Sequence, residues 1–550
     1  MKSLREHGSR CGGITSNVLE TLISVSGIFI TSCLTRTLLF CLITIRFDSP
    51  GGIKHLWGRQ NVPASRCRPR NRELRNSRGG SLQMKKNLLV WSWAAVAALQ
   101  FAAAGALAVD AQEKNAAPGN AGCRVEQVEY QGWKAQQVSN AWVKLIFVPQ
   151  NGGRLMQVIF DGHPFLFVNR KYAGKYLPPS TTEWFNYGGD KLWVLPEGNE
   201  DEHHWVGNSD LLDDAPYDFR ILSQGQRCEI SLTGPADPQT GLQFMRTVSL
   251  GVDSPLITFH AAMKNTSGHP IEWSMQSVSQ YDTADTKDRT HHNKNIWGFT
   301  PTGSSSSYLN QYHVKFGPAE NSAAQVRPDG LFAIHYIPLA AELWVDSKAG
   351  WLAVVDGESG YAMVERFRYD ETRPYPGKAS VIFWTNGAQL HQHPDGTATF
   401  GADEEDPPAI YMEAELNSPM VRLDSGESYH FDTQWFPSRA SASFQGVSDA
   451  GVILKPLGAQ QNTAGQEIAL SGVFGVFFSG QLVAHLYDAR GVALGTRALE
   501  QVDPKDLIKL HAEIKGASKA ARVSLHVVDL NGLDRGTLGE VAVDSAAVKE

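Results

Sequence analysis

Cysteine is scarce in this chain. Only 6 of the 550 residues are cysteine, and after Met84 only Cys123 and Cys228 remain. At most one disulfide can form in that part, so its fold must depend mainly on an apolar core. The sequence also lacks a GxSxG elbow, a Walker loop and a dinucleotide fingerprint, which argues against serine-hydrolase, nucleotide-dependent and NAD-dependent chemistry. We therefore predict no cofactor.

Basic charge is lacking wherever a folded domain is expected. Residues 1–83 hold thirteen basic and four acidic residues, a balance of +9, so within a total of −7 the rest of the chain carries −16. Nucleic-acid partners need a basic footprint, and we expect none. Residues 1–83 show no periodic pattern, and we interpret them as a disordered upstream extension outside the fold. The alternative is an N-terminal anchor at 22–45, an apolar stretch that Arg36 interrupts.

A secretory signal peptide is predicted over residues 84–111. Two lysines follow Met84, an apolar stretch runs from 88 to 105, and small residues allow cleavage after Ala108 or Ala111. We expect the mature protein to be periplasmic or secreted, with no stable membrane insertion after signal cleavage. The sequence does not reveal the oligomeric state.

Helical periodicity is scarce, and short apolar runs separated by turn residues fill the exported chain. An Asn-Gly-Gly turn at 151–153 and an Asp-Gly turn at 161–162 separate the first runs, and such pairs favour tight turns between strands. Several runs are apolar on both faces, which implies two stacked sheets. We predict an all-β chain with a large antiparallel β-sandwich at 112–440.

The C-terminal part predicts a second, smaller domain. The stretch 438–451 is typical of a linker, and six short apolar runs follow between 452 and 543. This number of strands predicts a small immunoglobulin-like β-sandwich at 450–550, although the Cys…Trp…Cys pattern of true immunoglobulin domains is absent. We see no sign of catalysis in it.

The stretch "WFNYGGDKLW" at 184–193 and the following "LPEGNEDEHHWVGN" at 195–208 combine rings, glycines and polar side chains. Aromatic rings match the CH-rich faces of pyranoses, and polar side chains supply hydrogen bonds for hydroxyls. Such a long connection in a β-protein is more often functional than structural. The predicted sugar-binding residues are Trp184, Asn186, Tyr187, Asp190, Lys191, Trp193 and His204. The alternative is that the two tryptophans fill the core.

Adjacent histidines raise the question of a metal site. His203 and His204 lie beside an acidic cluster, and His291 and His292 form a second pair. Neighbours on a strand point to opposite faces, so one ion could bind both only from a loop. There is neither an HxH pair nor a calcium loop. We predict solvated charge at both pairs and no metal site.

Two carboxylates offer acid and base chemistry. Glu413 and Glu415 alternate in "IYMEAELN" and share a face if this stretch is a strand. Repulsion between paired carboxylates raises at least one pKa, as a general acid or base requires. The alternative is an exposed strand face with two ordinary glutamates.

Four stretches resemble a bacterial branch of the galactose mutarotase-like superfamily. They are "NGGRLMQVIFDGHPFLFVN", "NYGGDKLWVLPEG", "KNTSGHPIEWSMQSVSQYD" and "YMEAELNSPMVRLDSGESYHFDTQW", within roughly 125–437. The resemblance implies a supersandwich fold with a sugar site, in which Arg154 belongs to the opening Gly-Gly-Arg turn. In aldose 1-epimerases of this superfamily a glutamate deprotonates the anomeric hydroxyl and a histidine protonates the ring oxygen. Glu413 matches that glutamate, whereas the position of the histidine falls on Gln276, which cannot donate a proton as an acid.

These observations predict an exported carbohydrate-binding protein of galactose mutarotase-like fold without epimerase activity. Its ligand contacts would include Arg154, Gln276 and Glu415 beside the residues of 184–204. The alternative is a carbohydrate-active enzyme, either an aldose 1-epimerase or a glycoside hydrolase or lyase, that uses Glu413 with His203 or His204. A third possibility is an assembly protein in which the C-terminal sandwich makes the contacts.

Overall fold

The computed structural model describes residues 122–392, 398–401, 409–462 and 466–544. The extension predicted at 1–83 and the signal peptide predicted at 84–111 lie outside the described residues. In the described part of the chain, no helix is both long and apolar enough to cross a membrane.

Strands make up nearly all of the regular structure. The strands up to Arg439 are β1 (Arg124–Tyr130), β2 (Trp133–Ser139), β3 (Val143–Val148), β4 (Arg154–Phe160), β5 (His163–Pro164), β6 (Asp190–Leu195), β7 (Asp218–Ser223), β8 (Arg227–Ala236), β9 (Leu242–Gly251), β10 (Ile257–Asn265), β11 (Ile271–Asp282), β12 (Ile296–Pro301), β13 (His313–Phe316), β14 (Ala324–Val326), β15 (Leu331–His335), β16 (Ala341–Val345), β17 (Trp351–Asp356), β18 (Tyr361–Phe367), β19 (Val381–Thr385), β20 (Gln389–Gln392), β21 (Ala398–Gly401), β22 (Tyr411–Asn417), β23 (Val421–Leu423) and β24 (Ser428–Arg439). The later strands are β25 (Gly446–Ser448), β26 (Gly451–Gln461), β27 (Glu467–Val476), β28 (Gly480–Tyr487), β29 (Ala493–Val502), β30 (Leu507–Lys515), β31 (Arg522–Asp529) and β32 (Asp534–Ala542). Two single-turn 3₁₀ helices span Arg170–Tyr172 and Pro376–Lys378.

Two large sheets form the main domain. The first has 12 strands in the order β1-β2-β3-β4-β6-β11-β22-β19-β16-β13, with β5 beside β4 and β23 beside β11. The second has 10 strands in the order β14-β15-β12-β17-β18-β24-β10-β9-β8-β7. Every pairing between these strands is antiparallel. The predicted large antiparallel β-sandwich is therefore confirmed.

The core lies between the two large sheets. Strands β3, β6 and β11 contribute Leu145, Val194 and Met275 to one buried apolar cluster, and β8 and β10 of the other sheet contribute Ile230 and Phe259. This cluster is the apolar core on which a chain with so few cysteines depends.

A smaller sandwich follows. It consists of two four-stranded sheets, β25-β26-β27-β30 and β29-β28-β31-β32. The predicted C-terminal sandwich is confirmed, although the sequence runs indicated six strands and missed the short β25 and the exposed β29.

The predicted linker at 438–451 is more ordered than expected. Strand β24 continues to Arg439, and Phe444 is fully buried, with its ring centroid 4.7 Å from that of Phe299. Phe436 and Phe477 approach similarly, at 4.6 Å. The small sandwich thus packs directly on the second large sheet.

Candidate functional site

One face of the first large sheet is polar where β6, β11, β22, β19 and β16 lie side by side. Gln280 on β11 is opposite Glu413 on β22. Glu413 is in turn opposite Trp384 on β19, and Trp384 is opposite Glu342 on β16. Cross-strand neighbours point to the same side of a sheet, so these side chains form a row. We call this surface the polar face; its members are Lys191, Trp193, Gln276, Gln280, Glu342, Trp384, Glu413 and Glu415.

The polar face points away from the second sheet. Lys191 and its neighbour Asp190 project to opposite sides of β6 because successive side chains of a strand alternate. Asp190 pairs with Arg246 of β9, which belongs to the second sheet. Lys191 therefore lies on the other side, and Trp193 lies with it.

Two glutamates, each hydrogen-bonded to a glutamine of β11, lie at the centre of the polar face. The Gln280 Nε2 donates to Glu413 Oε1 at 2.7 Å, and the Gln276 Nε2 donates to Glu415. The two carboxyl groups also lie close enough to affect each other's pKa. Burial, followed by the charges of Glu413 and Glu342, raises the pKa of Glu415 well above its usual range. Burial raises the pKa of Glu413 as well, against the opposing charge of Lys191. Both carboxyl groups of the pair thus hold their protons more tightly than a solvent-exposed glutamate does.

A third carboxyl group extends this cluster. The Trp344 Nε1 donates to Glu342 Oε1 at 2.5 Å. Burial raises the pKa of Glu342 to about 7, and the nearby charge of Glu413 contributes in the same direction. The polar face therefore carries an acidic group, Glu342, that changes protonation near neutral pH, and perturbed groups of this kind are typical of functional sites.

A buried ammonium group lies between rings and carboxylates. The Lys191 Nζ is 3.6 Å from the centroid of the Trp193 ring, 5.0 Å from that of Trp184 and 3.8 Å from Asp213 Oδ1. Asp213 also accepts from Arg154 at 2.7 Å. Burial lowers the pKa of Lys191. The cation–π contacts and the carboxylate fix the position of its three donors.

The Gly-rich connection after β6 lies against Trp193. The Trp193 Nε1 donates to Glu197 Oε2 at 3.1 Å, and the rings of Trp193 and Trp205 meet edge to face at 4.3 Å. Gly207 has a φ of +68°, and a Cβ there would lie 3.2 Å from the Trp193 ring. This close approach explains why glycine occupies the position.

Two buried polar atoms beside these groups have no hydrogen-bond partner within the described chain. They are the Gln280 Oε1, an acceptor, and the Trp184 Nε1, a donor. A buried polar atom without a partner costs about 1–3 kcal/mol. A hydroxylated ligand offers both kinds of partner.

The structure brings six of the predicted residues together. They are Trp184, Lys191, Trp193, Gln276, Glu413 and Glu415. Arg154 is joined to them indirectly. It is buried beneath Gly188 and bonded to Asp213 and Asp214, so it supports the site without facing a ligand.

The predicted contact between Asp190 and a ligand is wrong. Its carboxylate is fully buried between the sheets, where it pairs with Arg246 and accepts from the hydroxyls of Ser277 and Ser279 at 3.4 and 3.3 Å. A shift of one residue along a strand moves a side chain to the opposite face.

Tyr187 and Asn186 make their contacts within the protein and hold the segment 184–193 in place. Tyr187 is fully buried, packs edge to face on Trp133, and its hydroxyl accepts from the Leu177 amide at 3.0 Å. The Asn186 Oδ1 accepts from the Gly188 amide at 3.1 Å. The prediction that these two residues touch a ligand does not fit this placement, because both are occupied by the protein itself.

The histidines do not reach the carboxylate pair. The His204 Nδ1 is 2.8 Å from Asp201 Oδ1 and its Nε2 is 3.9 Å from Glu200. His203 is exposed, and its amide donates to Asp201. Both histidines therefore bond within their own loop, and in the described chain no contact joins them to Glu413. The structure therefore does not bring either histidine to Glu413, and the carboxyl group that lies beside Glu413 on the same face of β22 is that of Glu415.

Three residues of the polar face were missed by sequence reasoning. Gln280 follows Gln276 by four positions on one strand, so strict alternation could have found it. Glu342 and Trp384 lie on separate strands, and only the sheet order brings them to Glu413.

Comparison with protein-family models and with curated proteins gives no match. Similar solved structures include a TPR-domain containing protein from Parabacteroides distasonis, at 15% identity and a TM-score of 0.38, covering 56% of this chain and 47% of that one. A galactose mutarotase-like protein from Clostridium acetobutylicum is 8% identical, with a TM-score of 0.36 and coverage of 58% and 99%. A galactose mutarotase-like protein from Lactobacillus casei is 6% identical, with a TM-score of 0.36 and coverage of 55% and 99%. The solved structures similar to this chain thus include galactose mutarotase-like proteins, the group that its sequence motifs resemble.

Proposed function

We propose that the protein is an exported carbohydrate-binding protein and that its sugar ligand lies on the polar face. The observation that carries this proposal is the convergence of Trp193, Lys191 and the Glu413–Glu415 pair on one side of one sheet. Ring faces suit the apolar faces of pyranoses, and ammonium, amide and carboxyl groups suit their hydroxyls.

The burial gradient supports a ligand that enters from the rim. Trp184, Trp384 and Glu413 are half-buried and Glu197 is exposed, whereas Lys191 lies deeper, at 4% exposure. The half-buried rings offer stacking surface, and the deeper polar groups offer orientation. Binding sites combine a few placed polar groups with aromatic walls in this way.

Export rests on the segment from Met84 and is supported by the disulfide between Cys123 and Cys228. Disulfides persist in oxidising compartments and are rare in the cytosol. A periplasmic or secreted location is therefore part of the proposal.

A pair of tryptophan variants tests the binding proposal. Trp184→Ala removes a half-buried ring of the site, and Trp297→Ala removes a half-buried ring on β12 of the second sheet. We expect the purified protein to bind at least one sugar on a glycan array. For that sugar, calorimetry should give an affinity at least tenfold weaker for Trp184→Ala, a loss of about 1.4 kcal/mol or more. The affinity of Trp297→Ala should stay within twofold of the wild type. An array without any bound sugar, or equal affinities for both variants, contradicts the proposal.

A second candidate function is acid–base catalysis on the bound sugar. The proximity and the raised pKa values of Glu413 and Glu415 favour it, since one group can act as base and the other as acid. If the protein is an aldose epimerase, polarimetry will show mutarotation faster than in buffer, and Glu413→Gln will abolish it without loss of sugar binding. Equal mutarotation rates with and without the protein would contradict the epimerase function and leave sugar binding as the only candidate function.

A further inference from the structure

The outer sheet of the small sandwich carries an isolated polar cluster on its solvent side. In β28, Leu482, Ala484 and Leu486 are buried, while His485 between them points outward. In β31, His526 likewise lies between the buried Leu525 and Val527. The alternation of strands thus places both histidines on one outward surface.

The strand register brings the two histidines together. Strands β28 and β31 are antiparallel neighbours, with Val483 opposite His526 and His485 opposite Ser524. The histidines are therefore diagonal neighbours, and their rings stack with centroids 4.2 Å apart and planes inclined by 13°.

A carboxylate from the next strand completes the cluster. Asp534 at the start of β32 places its Oδ2 3.0 Å from the His526 Nδ1. One ligand atom from each of His485, His526 and Asp534 lies within 4.8 Å of the others. Among the described residues, this is the one group of three such side chains that meets that spacing.

We propose that His485, His526 and Asp534 bind one first-row divalent metal ion, with Zn²⁺ the best match. Zinc binds imidazole nitrogen at about 2.0–2.1 Å and carboxylate oxygen at about 2.0–2.2 Å, so two ligands of a tetrahedral ion lie about 3.3 Å apart. The pair formed by His526 and Asp534 already has nearly that spacing. The metal takes the position of the proton in their hydrogen bond, and that proton passes to solvent. A rotation of the half-buried His485 ring brings in the third ligand.

The ligand types select the metal class. Two imidazoles and one carboxylate suit zinc and its first-row neighbours, whereas calcium and magnesium prefer oxygen ligands throughout. The side chains of His526 and Asp534 are 19% and 45% exposed. Water therefore has access to the remaining position on the ion.

Ser524 holds the second nitrogen of His526. Its Oγ is 2.9 Å from the His526 Nε2. Histidines that bind metals usually donate their other ring N–H to an oxygen, which fixes the tautomer and the orientation of the ring. Ser524 is only 4% exposed, so its hydroxyl does not face a substrate as the nucleophile of a hydrolase would. We assign it as a positioning residue of the metal site.

Zinc titration of the purified protein, without an oligohistidine tag and after treatment with a chelator, tests this proposal. We expect competition with a chromogenic chelator to show one Zn²⁺ per chain, and neither Ca²⁺ nor Mg²⁺ to displace it. His485→Ala and His526→Ala should each weaken binding at least tenfold. His511→Ala, which removes an exposed histidine of β30 in the other sheet, should leave the affinity within twofold.

Thermal denaturation gives a second readout that does not involve sugars. Bound zinc should raise the melting temperature of the wild type and of His511→Ala, because a ligand of the folded state stabilises it by mass action. Zinc should raise the melting temperatures of His485→Ala and His526→Ala less than that of the wild type, while circular dichroism verifies that both are folded. No stoichiometric binding by the wild type, or equal binding by all variants, overturns the proposal.

Discussion

Buried carboxyl groups are the most informative single residues of this protein. Glu365 on β18 lies fully buried between the large sheets, and its Oε1 accepts from the Tyr281 hydroxyl of β11 at 2.6 Å. Burial raises the pKa of Glu365 to about 8, from an ordinary value of 4.5. The folded state therefore holds a proton that the unfolded chain releases at lower pH.

This pKa predicts how stability depends on pH. A raised pKa in the folded state favours folding fully below pH 4.5, and the contribution is lost as the pH rises through about 8. Each pH unit in this window costs about 1.4 kcal/mol. We expect the wild type to lose about 3 kcal/mol more than Glu365→Gln between pH 5 and pH 7, because glutamine stays neutral and still accepts from Tyr281. Urea denaturation at both pH values measures this difference. Parallel pH profiles of the two proteins would contradict the prediction.

At the scale of single residues, the sequence predicted which residues share a face when they alternate along one strand. Glu413 and Glu415, and Lys191 and Trp193, each form an alternating pair, and the structure places each pair on one face. Asp190 was wrong because the sequence shows that a residue belongs to a strand but not which face it occupies. His203 and His204 bond to Asp201 within their own loop, and composition alone does not rank such local partners above distant ones.

At the scale of strands and turns, turn residues in the sequence predicted where strands end. The predicted turn at 161–162 joins β4 and β5, and Asp161 and Gly162 have φ values of 50° and 81°. Strand β29 was missed because its side chains are exposed almost throughout, so it lacks the alternation that marks a half-buried strand. Sheet order was beyond prediction, because β6, β11, β22, β19 and β16 become neighbours only through long-range pairing.

The Asn-Gly-Gly turn between β3 and β4 packs on the loop that holds Asp213. Gly152 has a φ of +66°, and its amide donates to the Ala215 carbonyl at 3.1 Å. A Cβ at Gly152 would lie 1.6 Å from the Asp213 carbonyl oxygen. Asp213 in turn anchors Arg154 and Lys191. The turn therefore contacts the loop whose Asp213 holds Lys191 in the candidate site.

Two alanine variants separate this clash from backbone strain alone. Gly162 has a φ of +81°, but no atom lies within 4 Å of a Cβ there. We expect Gly162→Ala to cost about 1 kcal/mol, the price of a left-handed conformation in an L-residue. Gly152→Ala carries the same strain and must also displace the 213–215 backbone, so we expect a loss of more than about 3 kcal/mol. Urea denaturation compares them, and equal losses would show that the loop moves aside freely.

At the scale of the whole molecule, the two sandwiches share one apolar cluster. Phe299 and Val364 of the second large sheet belong to the same buried cluster as Phe477 and Leu482 of the small sandwich. The cation of Arg366 lies 5.0 Å above the Phe436 ring and 5.1 Å above the Phe477 ring. The small domain is thus a packed layer of the molecule, and we expect it to unfold together with the large one.

The two large sheets are also joined covalently. Strand β1 forms one edge of the first sheet and β7 one edge of the second. Cys123, just before β1, bonds to Cys228 on β8, and the backbones of Cys123 and Gly225 exchange hydrogen bonds of 2.7 and 2.9 Å. The disulfide therefore joins the first sheet to the second close to an edge of each.

Removing this disulfide should lower the stability of the whole large sandwich. It links residues 105 positions apart, and closing so long a loop restricts the unfolded chain strongly. We expect Cys123→Ala combined with Cys228→Ala to lose about 2–4 kcal/mol of unfolding free energy, measured by urea denaturation. A reductant should bring the wild type to the stability of the double variant and leave the double variant itself unchanged. If the reductant destabilises the double variant to the same extent, the effect arises elsewhere in the chain and the stabilising role of this disulfide is refuted.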